Sequence, residues 1–102
     1  IEDMKKNELI GPIVSHAGDG NFHVALLIDK KSDEELKKLD DFLIRISERA
    51  IRMDGTCTGE HGVGQGKRKY MLKELGGAVD IMKKVKNAFD PNKIMNPGKL
   101  FL

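Results

Sequence analysis

The sequence predicts an α+β fold, a small antiparallel sheet covered by helices. Three observations carry this expectation. Two β-prone runs flank the dense turn signal Gly18-Asp19-Gly20-Asn21, apolar residues recur at helical spacing from Leu36 to Met53, and no strand–helix–strand unit repeats.

The elements follow in chain order. Residues Met4–Leu9 are short and charged and read as the end of a helix. Gly11–Ser15 reads as a strand, with Pro12 marking its start or an edge. Phe22–Asp29 reads as a second strand, apolar on both faces over most of its length and so expected to face core. Ser32 and Glu35 form the S-x-x-E capping box that opens a helix. Leu36, Leu39, Leu43, Ile46, Ala50 and Met53 then draw one apolar stripe, expected to be that helix's core face, while Glu34, Lys37, Lys38 and Asp41 fall off it. Asp54-Gly55 ends the helix, and Thr56-Cys57-Thr58 suggests a short strand. Gly59–Gly66 holds four glycines in eight residues. Lys67–Leu75 suggests a short helix stopped by Gly76-Gly77. A last helix uses Ala78, Ile81, Met82, Val85 and Phe89 and stops at Asp90-Pro91, because the residue before proline is pushed out of the helical region. The tail Ile94–Leu102 is expected to be extended.

Composition bounds what such a chain can do. It has 102 residues, the size of one domain or a piece of one, with 39% hydrophobic and 33% charged residues. The longest apolar run, Val24–Ile28, is far shorter than the ~20 residues of a spanning helix. A net charge of +2, one tyrosine and no tryptophan argue against nucleic acid as a partner. The single cysteine, Cys57, excludes an internal disulfide and suits a reducing compartment, read here as cytoplasmic. The chain opens on Ile1 with no signal segment, which reads as a piece cut from a longer protein, with a processed short protein as the alternative.

Nucleotide motifs fail on inspection. A P-loop ending at Gly66-Lys67 would need glycine at His61 and a hydroxyl at Arg68. The dinucleotide pattern would need glycine at Lys67, or at His23 for the earlier cluster. The chemistry instead gathers on three histidines and one glutamate. His16 ends one predicted strand and His23 begins the next, so a hairpin closed by Ala17–Phe22 sets them opposite each other, where side chains stand ~4.5–5.5 Å apart. That suits two imidazoles sharing one metal, and Glu60, in a glycine turn, offers an anionic third ligand. Two histidines and one carboxylate leave positions open for substrate. His61 follows Glu60 directly and is better placed to reach a substrate than to join the same ion. Spacing alone leaves ordinary polar turn residues as an equal alternative. For Cys57 a small buried strand residue is the commoner reading than a nucleophile, and for Lys67, Arg68 and Lys69 a solvated helix face is commoner than an anion site.

Three segments, His16-Ala17-Gly18-Asp19-Gly20-Asn21-Phe22-His23, Gly55–Gly64 and the pair Asp90-Pro91 with Asn96-Pro97-Gly98-Lys99, stand in an order that resembles the C-terminal part of the FAD-linked oxidases of the vanillyl-alcohol oxidase class. The likeness runs from about Gly11 to the end and leans to the branch of cytochrome-linked D-lactate dehydrogenases and glycolate oxidase flavin subunits. It implies that residues 1–102 are the C-terminal part of a cap domain, with the FAD-binding domain absent from this segment and supplied as a partner by the same parent chain. It implies a divalent metal, described as zinc in the family, on His16, His23 and Glu60. His61 would be the catalytic base and substrate contact, and Asn96 a contact to FAD. The hydroxyglutarate-oxidising relatives place a substrate-binding asparagine where this sequence has Ala25, which implies a small monocarboxylate 2-hydroxy acid as substrate.

The implied activity is an FAD-dependent D-2-hydroxy-acid dehydrogenase in the parent protein, with hydride passing from the substrate α-carbon to FAD. The alternative is a stand-alone metal-binding or interaction module without redox activity. The isolated segment is expected to be inactive, because it lacks a nucleotide-binding motif, and to pair as a homodimer through its uncovered apolar surface. Association of the parent with a membrane surface is left open by the resemblance.

Overall fold

The computed structural model describes residues 1–101; Leu102, the last residue of the expected extended tail, lies outside them. The α+β class stands: an antiparallel strand pair and four α-helices are present among the described residues. The chain forms two compact units, Ile1–Arg49 and Ala50–Leu102.

The first unit opens with α1 (Glu2–Lys6), whose acidic first turn and basic last turn complement the helix dipole. It lies nearer the chain start than the expected Met4–Leu9, and buries Met4. β1 (Ile13–His16) and β2 (Asn21–Val24) pair antiparallel, Ile13 facing Val24 and His16 facing Asn21. Ala17–Asp19 make a 3-10 turn, and Gly20 closes it at φ 66°, in the left-handed region that glycine enters without strain.

Both strands are shorter than expected, for a readable reason. The register continues to a single bridge between Ile10 and Leu27, with the Ala25 N–H donating to the Pro12 carbonyl and the Leu27 N–H to the Ile10 carbonyl. Pro12 has no N–H to return the bond, so the ladder breaks there. Gly11 comes so close to the Ala25 carbonyl that an added Cβ would lie 2.1 Å from its oxygen. Nor does Phe22–Asp29 face core on both sides: every β1 residue is exposed, as are Phe22, Ala25 and Leu27.

α2 (Asp33–Arg52) begins at Ser32, whose Oγ accepts the Glu35 N–H at 3.3 Å. Only half of the capping box forms. The Glu35 carboxylate reaches past Ser32 to the Asp29 N–H, at 2.6 Å, while the Asp29 carboxylate accepts the Lys31 N–H. The predicted stripe is offset from the buried face: Phe42 and Ser47 are buried, whereas Leu36 and Leu43 are exposed and Met53 lies beyond the helix. Asp3 ties α1 to α2 through contacts of 2.7 to 3.2 Å to the Arg45 guanidinium.

In the second unit α2 ends as a Schellman motif. The Gly55 N–H donates to Ala50, the Asp54 N–H donates to Ile51, and Asp54 takes the left-handed position at φ 58°. The expected strand at Thr56–Thr58 is absent; the segment is a bend held by side chains. The expected helix over Lys67–Leu75 resolves into a 3-10 turn, Arg68–Tyr70, followed by α3 (Met71–Leu75). α4 (Ala78–Phe89) has the expected bounds, yet its buried residue is Val79, and Ile81, Val85 and Phe89 are exposed. The tail is turned rather than extended: Asn96 and Leu100 adopt φ of 48° and 65°, and Lys93, just before it, 55°.

Candidate functional site

The first unit carries the histidine pair. The register sets His16 against Asn21 and His23 against Val14. The two histidines are therefore diagonal neighbours, not the directly opposed pair that the longer predicted loop implies. Both still project from one face, because Val14 and His16 are two residues apart on β1. Diagonal positions remain within reach of long side chains. The rings meet edge to face, with centroids 5.8 Å apart at 82°, and the two residues can offer ring nitrogens within 4.8 Å of each other. Two nitrogens bound to one zinc ion stand roughly 3.4 Å apart, so the pair lies near the spacing that two ligands of one ion need. His16 is exposed and His23 half-buried, leaving the approach open.

The second unit carries Glu60 and His61 on the turn from Gly59 to Gly62, closed by the Gly62 N–H donating to the Gly59 carbonyl at 3.1 Å. Gly62 and Gly64 both take positive φ, at 75° and 52°, conformations that explain the glycines there. The His61 ring nitrogen lies 3.7 Å from the Glu60 carboxylate, and the two side chains are 77% and 52% exposed. Both face outward, where a ligand can reach them.

The preceding segment is anchored from both sides. The Cys57 N–H donates to the Glu74 carboxylate at 2.9 Å, and the Cys57 carbonyl accepts from the Lys67 ammonium. With both peptide groups of Cys57 taken by side chains, no strand partner is needed, which is why the predicted strand does not form. The Thr58 N–H donates to the Thr56 hydroxyl, bending the chain further. Cys57 itself is buried, and its thiol is pushed up to about 11, first by burial and then by the Glu74 carboxylate. A thiol so protonated is no nucleophile near neutral pH, so the buried reading of Cys57 holds and the nucleophile reading does not.

Asn96 sits in a separate turn of the same unit. The Asp90 carboxylate accepts the N–H groups of Ile94 and Met95, at 2.9 and 3.0 Å, and pairs with Lys86, which also donates to the Met95 carbonyl. Lys86 first, and those two N–H groups after it, hold Asp90 below the usual carboxylate range. Arg68 donates to the Gly98 carbonyl at 2.7 Å, and the Leu100 N–H to the Gly64 carbonyl at 2.7 Å. The turn bearing Asn96 is thereby tied to the loop that carries Glu60 and His61. Lys67 and Arg68 are thus structural donors rather than a solvated face, while Lys69 lies over the Tyr70 ring at 5.3 Å. Sequence reasoning misses the roles of Glu74, on the short helix α3, and of Asp90, the residue just past the end of α4. The Asp-Pro step is the one visible signal, and taken by itself it says only that a helix stops.

With this geometry in place, the class of the chain is settled: it belongs to the family of FAD linked oxidases, C-terminal domain, which matches residues 2–100. Among relatives, it is 52% identical over 98% of its length to "D-lactate dehydrogenase [cytochrome] 1, mitochondrial" of Saccharomyces cerevisiae, covering 17% of that protein. It is 46% identical over 96% of its length to "Probable D-lactate dehydrogenase, mitochondrial" of Danio rerio, covering 20%. It is 46% identical over 84% of its length to "Glycolate oxidase subunit GlcD" of Bacillus subtilis, covering 18%. The chain thus spans about a fifth of the length of these relatives. Two of these names place their proteins in mitochondria, a location that the reducing-compartment argument from Cys57 does not separate from cytoplasm. No described helix is long and apolar enough to cross a membrane.

Proposed function

We propose that this segment is the substrate-facing cap of an FAD-dependent dehydrogenase that oxidises a small D-2-hydroxy acid of the D-lactate or glycolate type to its 2-oxo acid. His16, His23 and Glu60 hold a divalent ion, zinc by resemblance, His61 takes the hydroxyl proton, and Asn96 contacts the flavin. The observation that carries this reading is the edge-to-face histidine pair on one face of the hairpin, in a chain that belongs to this family over nearly its whole length. The donor set, two imidazoles and one carboxylate, is that of a catalytic zinc site with open positions. When bound, the ion supplies a Lewis acid for the substrate hydroxyl and FAD supplies the hydride acceptor.

The chain's own residues divide the remaining work. His16 and His23 present nitrogens from one hairpin face. His61 is exposed on its turn, where its imidazole can approach a substrate hydroxyl, so the O–H bond breaks toward the imidazole as the α-carbon gives up its hydride. Ala25, two residues past His23, offers no amide to a second substrate carboxylate, which favours a monocarboxylate. The rest of the parent chain is the partner that carries FAD. Self-association of the isolated segment belongs to the same reading, because Ile81, Val85 and Phe89 line one exposed face of α4.

The test compares Glu60→Gln with His61→Asn in the flavoprotein that carries this segment, measuring metal content and anaerobic flavin reduction by D-lactate and glycolate. Glu60→Gln loses metal and regains part of its activity in excess zinc or manganese. His61→Asn keeps its metal while reduction slows about 10²–10⁴-fold, the usual worth of a general base, and excess metal does not restore it. Loss of metal from His61→Asn as complete as from Glu60→Gln would overturn the division of roles. Retention of metal by a protein reduced by no 2-hydroxy acid would favour a binding module.

A further inference from the structure

We infer that Glu74 and Lys67 are positioning residues for the Glu60–His61 turn, acting as a two-sided clamp on the peptide groups of Cys57. The inference rests on the reading of Glu60 and His61 given above and adds the device that holds them in place.

The geometry is specific. Glu74 comes from α3 and accepts the Cys57 N–H at 2.9 Å; Lys67, just past the glycine-rich loop, donates to the Cys57 carbonyl. Opposite charges therefore grip the two ends of one residue that lies three positions before Glu60 and four before His61. Cys57 itself is buried, 5% exposed, a third fixed point at the start of this segment. Between these anchors the loop has four glycines, whose backbone freedom makes the direction of Glu60 and His61 sensitive to what holds the loop at its two ends. Charge-assisted hydrogen bonds from side chain to backbone are the strong kind, and they set orientation as well as energy. Lys67 also closes the loop from its far end, its N–H donating to the Val63 carbonyl at 3.3 Å. One lysine thus fastens both the entry and the exit of the segment bearing Glu60 and His61.

A small displacement of a catalytic group costs far more rate than stability. Loss of the clamp is therefore read in turnover, whereas a merely structural role is read in melting temperature. The experiment uses the full flavoprotein with Glu74→Ala, Glu74→Gln and, as a control for general destabilisation in the same unit, Val79→Ala, at a residue 3% exposed. Three quantities are measured: hydrogen–deuterium exchange in peptides covering residues 57–62, the rate constant and substrate dependence of anaerobic flavin reduction, and the melting temperature. Glu74→Ala is expected to speed exchange at 57–62 by roughly tenfold or more, the mark of easier local opening, and to leave exchange in α4 unchanged.

Its limiting reduction rate is expected to fall roughly 10- to 100-fold with a smaller change in half-saturation. Glu74→Gln keeps an acceptor oxygen and is expected to restore most of both. Val79→Ala is expected to lower the melting temperature without the rate loss. Unchanged exchange at 57–62 in Glu74→Ala overturns the clamp. Faster exchange with an unchanged reduction rate overturns its role in positioning, as does a rate loss matched by Val79→Ala at equal destabilisation. If the unsubstituted flavoprotein is reduced by no 2-hydroxy acid, the functional reading and the positioning role fall together, while the exchange data still decide whether the clamp exists.

Discussion

Replacing Asp3 tests how α1 is held to α2. The Asp3 carboxylate meets the Arg45 guanidinium through contacts of 2.7, 2.9 and 3.2 Å, and the Asn7 amide donates to the same carboxylate at 2.8 Å. Two unit charges about 3 Å apart attract by roughly 5 kcal/mol at an effective dielectric of ~20. The side chains are 22% and 39% exposed for Asp3 and Arg45, so solvent screening and the cost of ordering two side chains bring the net coupling to about 1 kcal/mol, the upper end for surface pairs. Arg45, ahead of every other cause, holds the Asp3 carboxyl below its usual value. A carboxyl depressed in the folded state stabilises above its unfolded value of ~3.9 and loses that contribution as pH falls through its lower folded value. A double-mutant cycle of Asp3→Asn and Arg45→Met, measured by urea unfolding, is expected to give a coupling of about 1 kcal/mol at pH 7 that shrinks once the pH is taken below the unfolded value of ~3.9. A coupling near zero at pH 7, or one of equal size at both pH values, refutes the argument.

Asp54 occupies the left-handed position of the α2 Schellman motif, where a side chain is strained, so Asp54→Gly is expected to raise stability by about 0.5–1 kcal/mol in thermal melts; a loss would show that the Asp54 side chain contributes something the backbone does not. The Tyr70 hydroxyl is buried without a hydrogen-bond partner among the described residues, so Tyr70→Phe is expected to leave the unfolding midpoint of this chain unchanged or slightly raised, and a drop of more than about 1 kcal/mol would mean the hydroxyl is bonded in solution.

Much of the architecture is legible from local signals. The hairpin turn, the Ser32 cap and the bounds of α4 each follow from a few neighbouring residues whose propensities agree. The errors arise where distant side chains decide. Thr56–Thr58 has β-prone composition, but Glu74 and Lys67 take the peptide groups a strand would use. The tail looks extended until Asp90 gathers two of its N–H groups. The expected hairpin is too long because Pro12 acts as a missing donor in the ladder and not merely as the mark of a strand's start. The α2 stripe is offset because Phe42, three residues past Leu39 and four before Ile46, takes the buried place while Leu36 and Leu43 stay exposed. For the site, residue type and surroundings single out His16, His23, Glu60 and His61, but the diagonal placement of the histidine pair depends on where the turn closes, at Gly20 rather than Phe22.

The tail depends on the rest of its unit for its shape. Lys93, Asn96 and Leu100, three non-glycine residues within eight positions, sit in left-handed backbone that costs each on the order of 1 kcal/mol. Within those positions the Lys99 N–H reaches the Asn96 carbonyl at 3.3 Å, a long bond that offsets little of the strain. The larger compensation comes from Asp90 and Lys86 on one side and from Arg68 and Gly64 on the other. The tail therefore has no reason to take its native shape without α4 and the glycine-rich loop. It keeps that shape through bonds made by residues outside it, and Asn96 holds its place only while Asp90, Lys86, Arg68 and Gly64 hold the tail.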